Sequence, residues 1–119
     1  MSRSVLVIDD DPAFRRLAAR VLASFGLSLA GEADSVAAAL SAAHSLQPAA
    51  VLVDIRLPDG DGISLARELT ALPWRPRAVL TSSDADAASP GDVRRCGARA
   101  FVPKDQLLNS ALDHLLTGD

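Results

Sequence analysis

Short runs of uninterrupted apolar residues alternate along this chain with longer stretches in which apolar positions recur every three or four residues. Val5-Leu6-Val7-Ile8, Val51-Leu52-Val53, Ala78-Val79-Leu80 and Ala100-Phe101-Val102-Pro103 are the short runs. A strand that is apolar on both faces belongs inside a parallel sheet covered on both sides, and the helical stretches between the runs supply the cover. The pattern therefore predicts five β-α units, with strands at about 4–9, 27–31, 50–54, 77–81 and 99–103. Helix 1 begins at Pro12, a residue suited to a first helical turn, with Asp10 or Asp11 as its cap; it buries Phe14, Leu17, Val21, Leu22 and Phe25 and stops at Gly26. Helix 2, capped by Asp34 or Ser35, places Val36, Ala39, Leu40, Ala43 and Leu46 inward and ends before Pro48. The run Ile55 to Gly62 is dense in turn residues and predicts a loop. Helix 3 follows at about 63–71 with Ile63, Ala66 and Leu69 on one face, and a short helix 4 at about 89–96 ends at Gly97. Asp105 is expected to cap a last helix that turns Leu107, Leu108, Ala111, Leu112 and Leu115 inward.

Right-handed crossovers put these helices on both faces of the sheet, giving one α/β domain over residues 1–119. In that arrangement Asp9, Asp10, Asp54, Thr81 and Lys104 all arrive at the carboxyl edge of the strands, where open α/β sheets bind their ligands. Lys104 is the only lysine among twelve basic residues, the other eleven being arginines. A position that takes a compact ammonium where every other cation is a planar guanidinium suggests a point contact. Acids at two strand ends and one ammonium at another make the skeleton of a magnesium-assisted phosphoryl site. Asp9 and Asp10 cannot point the same way on an extended strand. One of them, Asp10, is expected to bind an ion directly, with Asp9 acting through water or as an orienting group.

Composition narrows the picture further. A net charge of −3, a pI near 5.2 and scattered arginines give no sequence-independent attraction to nucleic acid or to an anionic membrane. No apolar run approaches the roughly 18–20 residues of a membrane span. Met1-Ser2-Arg3-Ser4 leads directly into a four-residue apolar strand, without the apolar stretch of a signal peptide, and the single Cys96 cannot form an internal disulfide. A cytoplasmic location is expected. His44 and His114 are expected in solvent, and Cys96 is expected to pack near the end of helix 4.

Four ordered pieces carry a resemblance over essentially the whole chain: Val5-Leu6-Val7-Ile8-Asp9-Asp10-Asp11-Pro12, Val51-Leu52-Val53-Asp54-Ile55-Arg56-Leu57-Pro58-Asp59-Gly60-Asp61-Gly62, Val79-Leu80-Thr81-Ser82, and Gly97-Ala98-Arg99-Ala100-Phe101-Val102-Pro103-Lys104. With these the chain resembles the receiver domains of two-component response regulators. The resemblance implies a flavodoxin-like sheet in the order 2-1-3-4-5 and Asp54 as the phosphoacceptor. It implies a Mg²⁺ or Mn²⁺ site of Asp9, Asp10, Asp54 and the main-chain carbonyl of Arg56. It further implies phosphoryl contacts from Thr81, Ser82 and Lys104, an aromatic switch at Phe101, and an influence of Arg56 and Ser83 on how water reaches the phosphoryl group. The implied partners are a histidine kinase or a histidine phosphotransfer protein and a homodimer formed on phosphorylation. Nucleic acid would be reached only through a separate output domain. The surface expected to respond is the face of helix 4, strand 5 and the last helix, and no chemistry beyond the domain's own phosphorylation and dephosphorylation is expected.

The chain departs from the family pattern where Asp105 follows Lys104 in place of proline, so a trans bond is expected there, and where Phe101 lacks the hydroxyl of a tyrosine. Two rival readings come from other classes. Asp9-Asp10-Asp11 after a strand fits the nucleophile motif of haloacid-dehalogenase-like phosphohydrolases, but the acidic pair that those enzymes place after their lysine is missing. Asp59, Asp61, Gly62 and Glu68 fall at calcium-loop spacing, but Leu57 stands at the first ligand position. A receiver that binds partners without being phosphorylated is the third alternative, although no acid, Thr or Lys of the expected set is lacking.

Overall fold

The computed structural model describes residues 3–108 and 110–118. Five parallel strands form one sheet: β1 (Ser4–Ile8), β2 (Ser28–Ala33), β3 (Ala50–Asp54), β4 (Arg77–Ser82) and β5 (Ala100–Pro103). Their order in space is β2-β1-β3-β4-β5, the doubly wound order expected. The alternation of side chains across the sheet divides the core in two. Val5, Val7, Leu52 and Val79 point to the face covered by α1 (Pro12–Ser24) and α5 (Leu112–Thr117), where Phe14, Ala18, Leu22, Leu112 and Leu116 meet them. Leu6, Ile8, Val51, Val53 and Leu80 point to the opposite face, covered by α2 (Val36–Leu46), α3 (Gly62–Thr70) and α4 (Pro90–Cys96). Both faces are dry, which is why the strand sequences show no polar alternation.

Local chemistry fixes most boundaries as the sequence suggests. Asp11, rather than Asp10, caps α1 by accepting from the Ala13 N–H, and Ser35, rather than Asp34, caps α2 by accepting from the Ala38 N–H. Ser89 and Asp92 form a reciprocal capping box on α4, and Gly26 and Gly97 take the left-handed conformation that lets the chain leave α1 and α4.

Several expectations need correction. Leu17 is 41% exposed and Ala18 takes its place in the core, because the inward stripe of α1 runs Phe14, Ala18, Val21, Leu22. Leu46 is likewise exposed at the end of α2, and α3 turns Leu65 fully inward while Ile63 is only half-buried. Strand β2 runs two residues beyond its predicted end: it is an edge strand whose pairing with β1 slips between Val5 and Leu6, and Glu32 and Ala33 belong to it. The run after β3 is not an irregular loop, because Arg56–Leu57 pairs antiparallel with Gly60–Asp61. Asp59 at its tip crosses to α2 and accepts from the N–H groups of Val36 and Ala37 at 2.7 and 3.1 Å. Asp61 caps α3 by accepting from Ile63 N–H. Two of the three acids at calcium-loop spacing, Asp59 and Asp61, are thus occupied at helix N-termini.

The largest error concerns the end of the chain. The Lys104–Asp105 bond is trans as expected, but Asp105 caps no helix; Lys104–Gln106 make one 3₁₀ turn, and α5 starts only at Leu112 without a side-chain cap. Leu108 is 67% exposed and Ala111 is exposed, while Leu107, Leu112 and Leu116 are buried. The spacing of these three leucines does not fit one continuous helix from 105 onward; it fits a turn, a break and a short helix. No helix among the described residues is long and apolar enough to cross a membrane.

Candidate functional site: an acidic cleft at the carboxyl edge

Strand register brings the site together. Val53 lies beside Ile8, so Asp54 falls level with the residue that follows β1; Asp54 in turn lies beside Thr81, Thr81 beside Val102, and Ser82 beside Pro103. Asp9, Asp54, Thr81, Ser82 and Lys104 therefore occupy one row although up to 95 residues separate them in sequence.

Asp9 is completely buried. Its N–H donates to Ala33 O at 2.9 Å, its Oδ1 accepts from the Asp11 N–H at 2.9 Å, and its Oδ2 lies 2.7 Å from Lys104 Nζ. The last contact is ionic: no hydrogen bond of regular geometry reaches Asp9 Oδ2 among the described residues. Asp54 is also buried; its Oδ1 accepts from the Arg56 N–H at 3.3 Å and its Oδ2 lies 3.6 Å from Lys104 Nζ. Lys104 thus bridges two carboxylates from different strands, and its ammonium rests 4.2 Å above the ring centroid of Phe14. This aromatic contact, which sequence reasoning did not find, holds a flexible side chain in place through the negative face of the ring.

Asp10 is exposed and reaches the same site from above. Carboxylate oxygens of Asp9, Asp10 and Asp54 lie within 4.8 Å of one another. Burial, and then the charge of Asp9, push the Asp54 carboxyl above the ordinary carboxylate value of 3.8, against the pull of Lys104 and of the Arg56 N–H. Burial lowers the affinity of Lys104 for its proton, but the close contact and charge of Asp9, followed by the charge of Asp54, outweigh that and leave it raised. Two buried acids beside one ammonium are an electrostatically frustrated group, and a further cation would relieve it.

Thr81 is fully buried and its hydroxyl has no hydrogen-bond partner among the described residues, an arrangement that normally calls for a ligand or water. Ser82 is buried too, and its Oγ accepts from the Asp84 N–H at 3.1 Å. Above them lies an open cleft of about 500 Å³ lined by Asp10, Asp11, Asp54, Arg56, Ser82, Ser83, Asp84 and Lys104. Arg56 spans the mouth and pairs with Asp84 at 3.4 Å. Phe101 stands apart, half-buried, and lines a second concavity with Ala88, Ser89, Pro90, Val93, Arg94 and Ala100.

Gly62 supports the row from behind. Its N–H donates to Ile55 O at 2.7 Å, and a side chain there would collide with the main chain of Asp54 and Ile55. Neither Gly62 nor Asp84 was singled out for the site from sequence. Glycine in Asp-Gly-Asp-Gly reads as turn chemistry, and Asp84 in Ser-Ser-Asp-Ala-Asp reads as a polar loop.

A flavodoxin-like sheet with an acidic cluster, a bridging lysine and a free buried hydroxyl defines a restricted class of domain. The chain belongs to the response regulator receiver domain family, which it matches over residues 5–115. It is 38% identical over 103 residues to the DNA-binding transcriptional activator DevR/DosR of Mycobacterium tuberculosis, an alignment that covers 85% of this chain and 47% of that protein. It is 26% identical to the chemotaxis protein CheY of Bacillus subtilis over 87% of each. The signal receiver domain of the putative response regulator NarL from Mycobacterium tuberculosis superposes with a TM-score of 0.77 at 30% identity, covering 96% of both chains. The chain spans about half the length of the transcriptional regulators it matches.

Proposed function

We propose that this domain accepts a phosphoryl group on Asp54 and converts it into a change of binding surface. The observation that carries the reading is the row itself: a buried carboxylate at the floor of an open cleft, an ammonium within 3.6 Å of it, two further acids within one ion's reach, and a buried hydroxyl without a partner at the neighbouring register position. The donor set is all hard oxygen, which suits Mg²⁺ or Mn²⁺. Asp10, Asp54 and the Arg56 carbonyl would hold the ion, with Asp9 orienting the group from below. When bound, such an ion supplies charge neutralisation for an incoming phosphoryl dianion.

In this reading an Asp54 carboxylate oxygen attacks phosphorus. The bond from phosphorus to its leaving group, a histidine nitrogen of a kinase or phosphotransfer protein or the oxygen of a small acyl phosphate, breaks with its electron pair. A histidine leaving group takes up a proton from water, whereas a small acyl phosphate releases its carboxylate as the anion, and in either case an acyl phosphate remains on Asp54. Lys104 and the Thr81 hydroxyl meet the new phosphoryl oxygens, with Ser82 beside them. Capture of Thr81 draws it toward Asp54, and the face of α4, β5 and α5 around Phe101 repacks in response. Arg56 and Ser83, at the mouth, govern the approach of water. A DNA-binding or other output would lie outside residues 1–119, and a homodimer partner would be a second copy of the domain.

Asp9 is the nucleophile that a dehalogenase-like phosphohydrolase would use. It is completely buried and does not line the open cleft, whereas Asp54 does, which favours Asp54 instead. Incubation with acetyl phosphate and Mg²⁺ is expected to add one hydroxylamine-labile phosphoryl group to the chain and none to Asp54→Asn, read by intact-mass spectrometry and peptide mapping. A phosphoryl group mapped to Asp9 would transfer the case to the phosphohydrolase, and none on the unaltered chain would leave the phosphorylation-independent binding module.

A further inference from the structure

Arg15 and Glu32 touch neither Asp54 nor the cleft above it, yet they hold the buried end of the acidic cluster. Arg15 Nη1 donates to the main-chain carbonyl of Asp9 at 2.7 Å, and Arg15 Nε donates to Glu32 Oε1 at 2.8 Å. The Arg15 side chain is only 19% exposed, so the contact is a partly buried one. The carbonyl it grips belongs to the peptide between Asp9 and Asp10. That peptide sets the direction of two successive carboxylates just where the strand ends and alternation of side chains breaks down. Asp9 is tied on both sides of that peptide as well: its own N–H donates to Ala33 O on β2, and its Oδ1 accepts from the Asp11 N–H just before α1. Glu32 lies on β2, one residue before Ala33, so the guanidinium spans from α1 to the edge strand and crosses the end of β1 on the way.

We propose that Arg15 and Glu32 form a clamp that positions the Asp9–Asp10 turn for a divalent cation. The inference rests on the reading of the acidic cluster as a cation site. Two features separate it from an ordinary surface ion pair. A planar guanidinium can hold two acceptors in fixed directions at once, which an ammonium cannot do. A positive group beside a cation site also opposes the charge of the ion. Glu32 resolves this by neutralising the guanidinium while fixing its plane. Arg15 is therefore a positioning residue, and position and charge predict opposite consequences of its loss.

The test is calorimetric titration of Mg²⁺ into the full chain, repeated with Mn²⁺ followed by electron paramagnetic resonance of the free ion, alongside urea unfolding in EDTA. Arg15→Met keeps the aliphatic stem and removes the fork; it is expected to weaken metal binding about tenfold, the scale found for groups that hold a metal's ligands. Charge alone predicts tighter binding in that variant. Glu32→Gln keeps an acceptor for Arg15 Nε but leaves the guanidinium charge unopposed, and is expected to weaken binding less than Glu32→Ala, which loses both the acceptor and the charge. The double variant Arg15→Met/Glu32→Ala is expected to be no weaker than Arg15→Met alone, because the two residues act as one unit. Should Arg15→Met not fold, the contrast between Glu32→Gln and Glu32→Ala carries the test. Unchanged or tighter binding in a folded Arg15→Met, or equal losses in Glu32→Gln and Glu32→Ala, would overturn the clamp while leaving the cation site intact. No binding by the unaltered chain would overturn the cation site and the clamp together.

Discussion

Asp54 is the residue at which burial and chemistry conflict most directly. Its carboxyl is raised by burial first and by Asp9 second, so the native state binds that proton more tightly than the unfolded chain does. Between the ordinary value of 3.8 and the raised one, the unfolded state carries fewer protons, and stability falls as pH rises through that window. Lys104 contributes in the opposite sense at the alkaline end: its raised value adds stability that is full below the ordinary 10.5 and is lost as pH climbs through the native one. Asp54→Asn removes the first effect and leaves Lys104 its contact with Asp9. In EDTA at pH 7 that variant is expected to unfold at the same or higher urea concentration than the unaltered chain, and to lose the decline between acid and neutral pH. A variant less stable at pH 7 and unchanged in its pH profile would show that Asp54 is not held at a cost. The residues named from sequence for this site were Asp9, Asp10, Asp54, Arg56, Thr81, Ser82, Ser83 and Lys104, each at or just past a strand end, and Phe101, which lies apart from the cleft. Phe14, Arg15 and Glu32 act on the same group from a helix and from an edge strand, and no sequence spacing links them to it.

At the scale of elements, the site depends on how closely α3 approaches the end of β3. Gly62 begins that helix against the main chain of Asp54 and Ile55, at a separation where no Cβ fits. Gly62→Ala is expected to cost about 1–3 kcal/mol, as overpacking of a tight interior contact does. The loss should appear in urea unfolding together with shifted amide resonances at Asp54 and Arg56. Full stability with unmoved resonances would mean that α3 can retreat freely. The two-residue ladder before it has a related task, since Asp59 ties the tip of that hairpin to the first N–H groups of α2. Five strands and four of the five helices were legible because periodicity, caps and glycine stops agree over each of them. The last helix was misread because Asp105 followed by leucines imitates a capped helix, and only packing shows that Leu107, Leu112 and Leu116 point inward. The edge strand β2 was placed early for the converse reason: half of it faces solvent, so its sequence carries little hydrophobic signal.

Over the whole molecule, a cation held by the acidic cluster would couple its binding to folding. An ion that binds the assembled cluster and not the unfolded chain stabilises the fold by mass action. Mg²⁺ at about ten times its dissociation constant is expected to add about 1.4 kcal/mol to the unfolding free energy. Asp10→Ala is expected to lose that increment without losing the fold, since Asp10 is exposed and takes no part in the core. Thermal unfolding with and without Mg²⁺ measures both, and an equal increment in Asp10→Ala would exclude Asp10 as a ligand.

The sequence alone determined the doubly wound fold, because two-sided apolar strands and amphipathic helices admit few other arrangements. It also determined the acids, the threonine and the lysine, because side chains at parallel strand ends must arrive at the same edge. Tertiary structure decided what those groups meet. Distances between strand ends follow from register, the partners of Lys104 come from elements far away in the chain, and the guanidinium on the Asp9 carbonyl is oriented from the edge strand by Glu32. Whether a buried hydroxyl such as Thr81's finds an acceptor is decided by the packing of all its neighbours at once, which no local pattern of residues encodes.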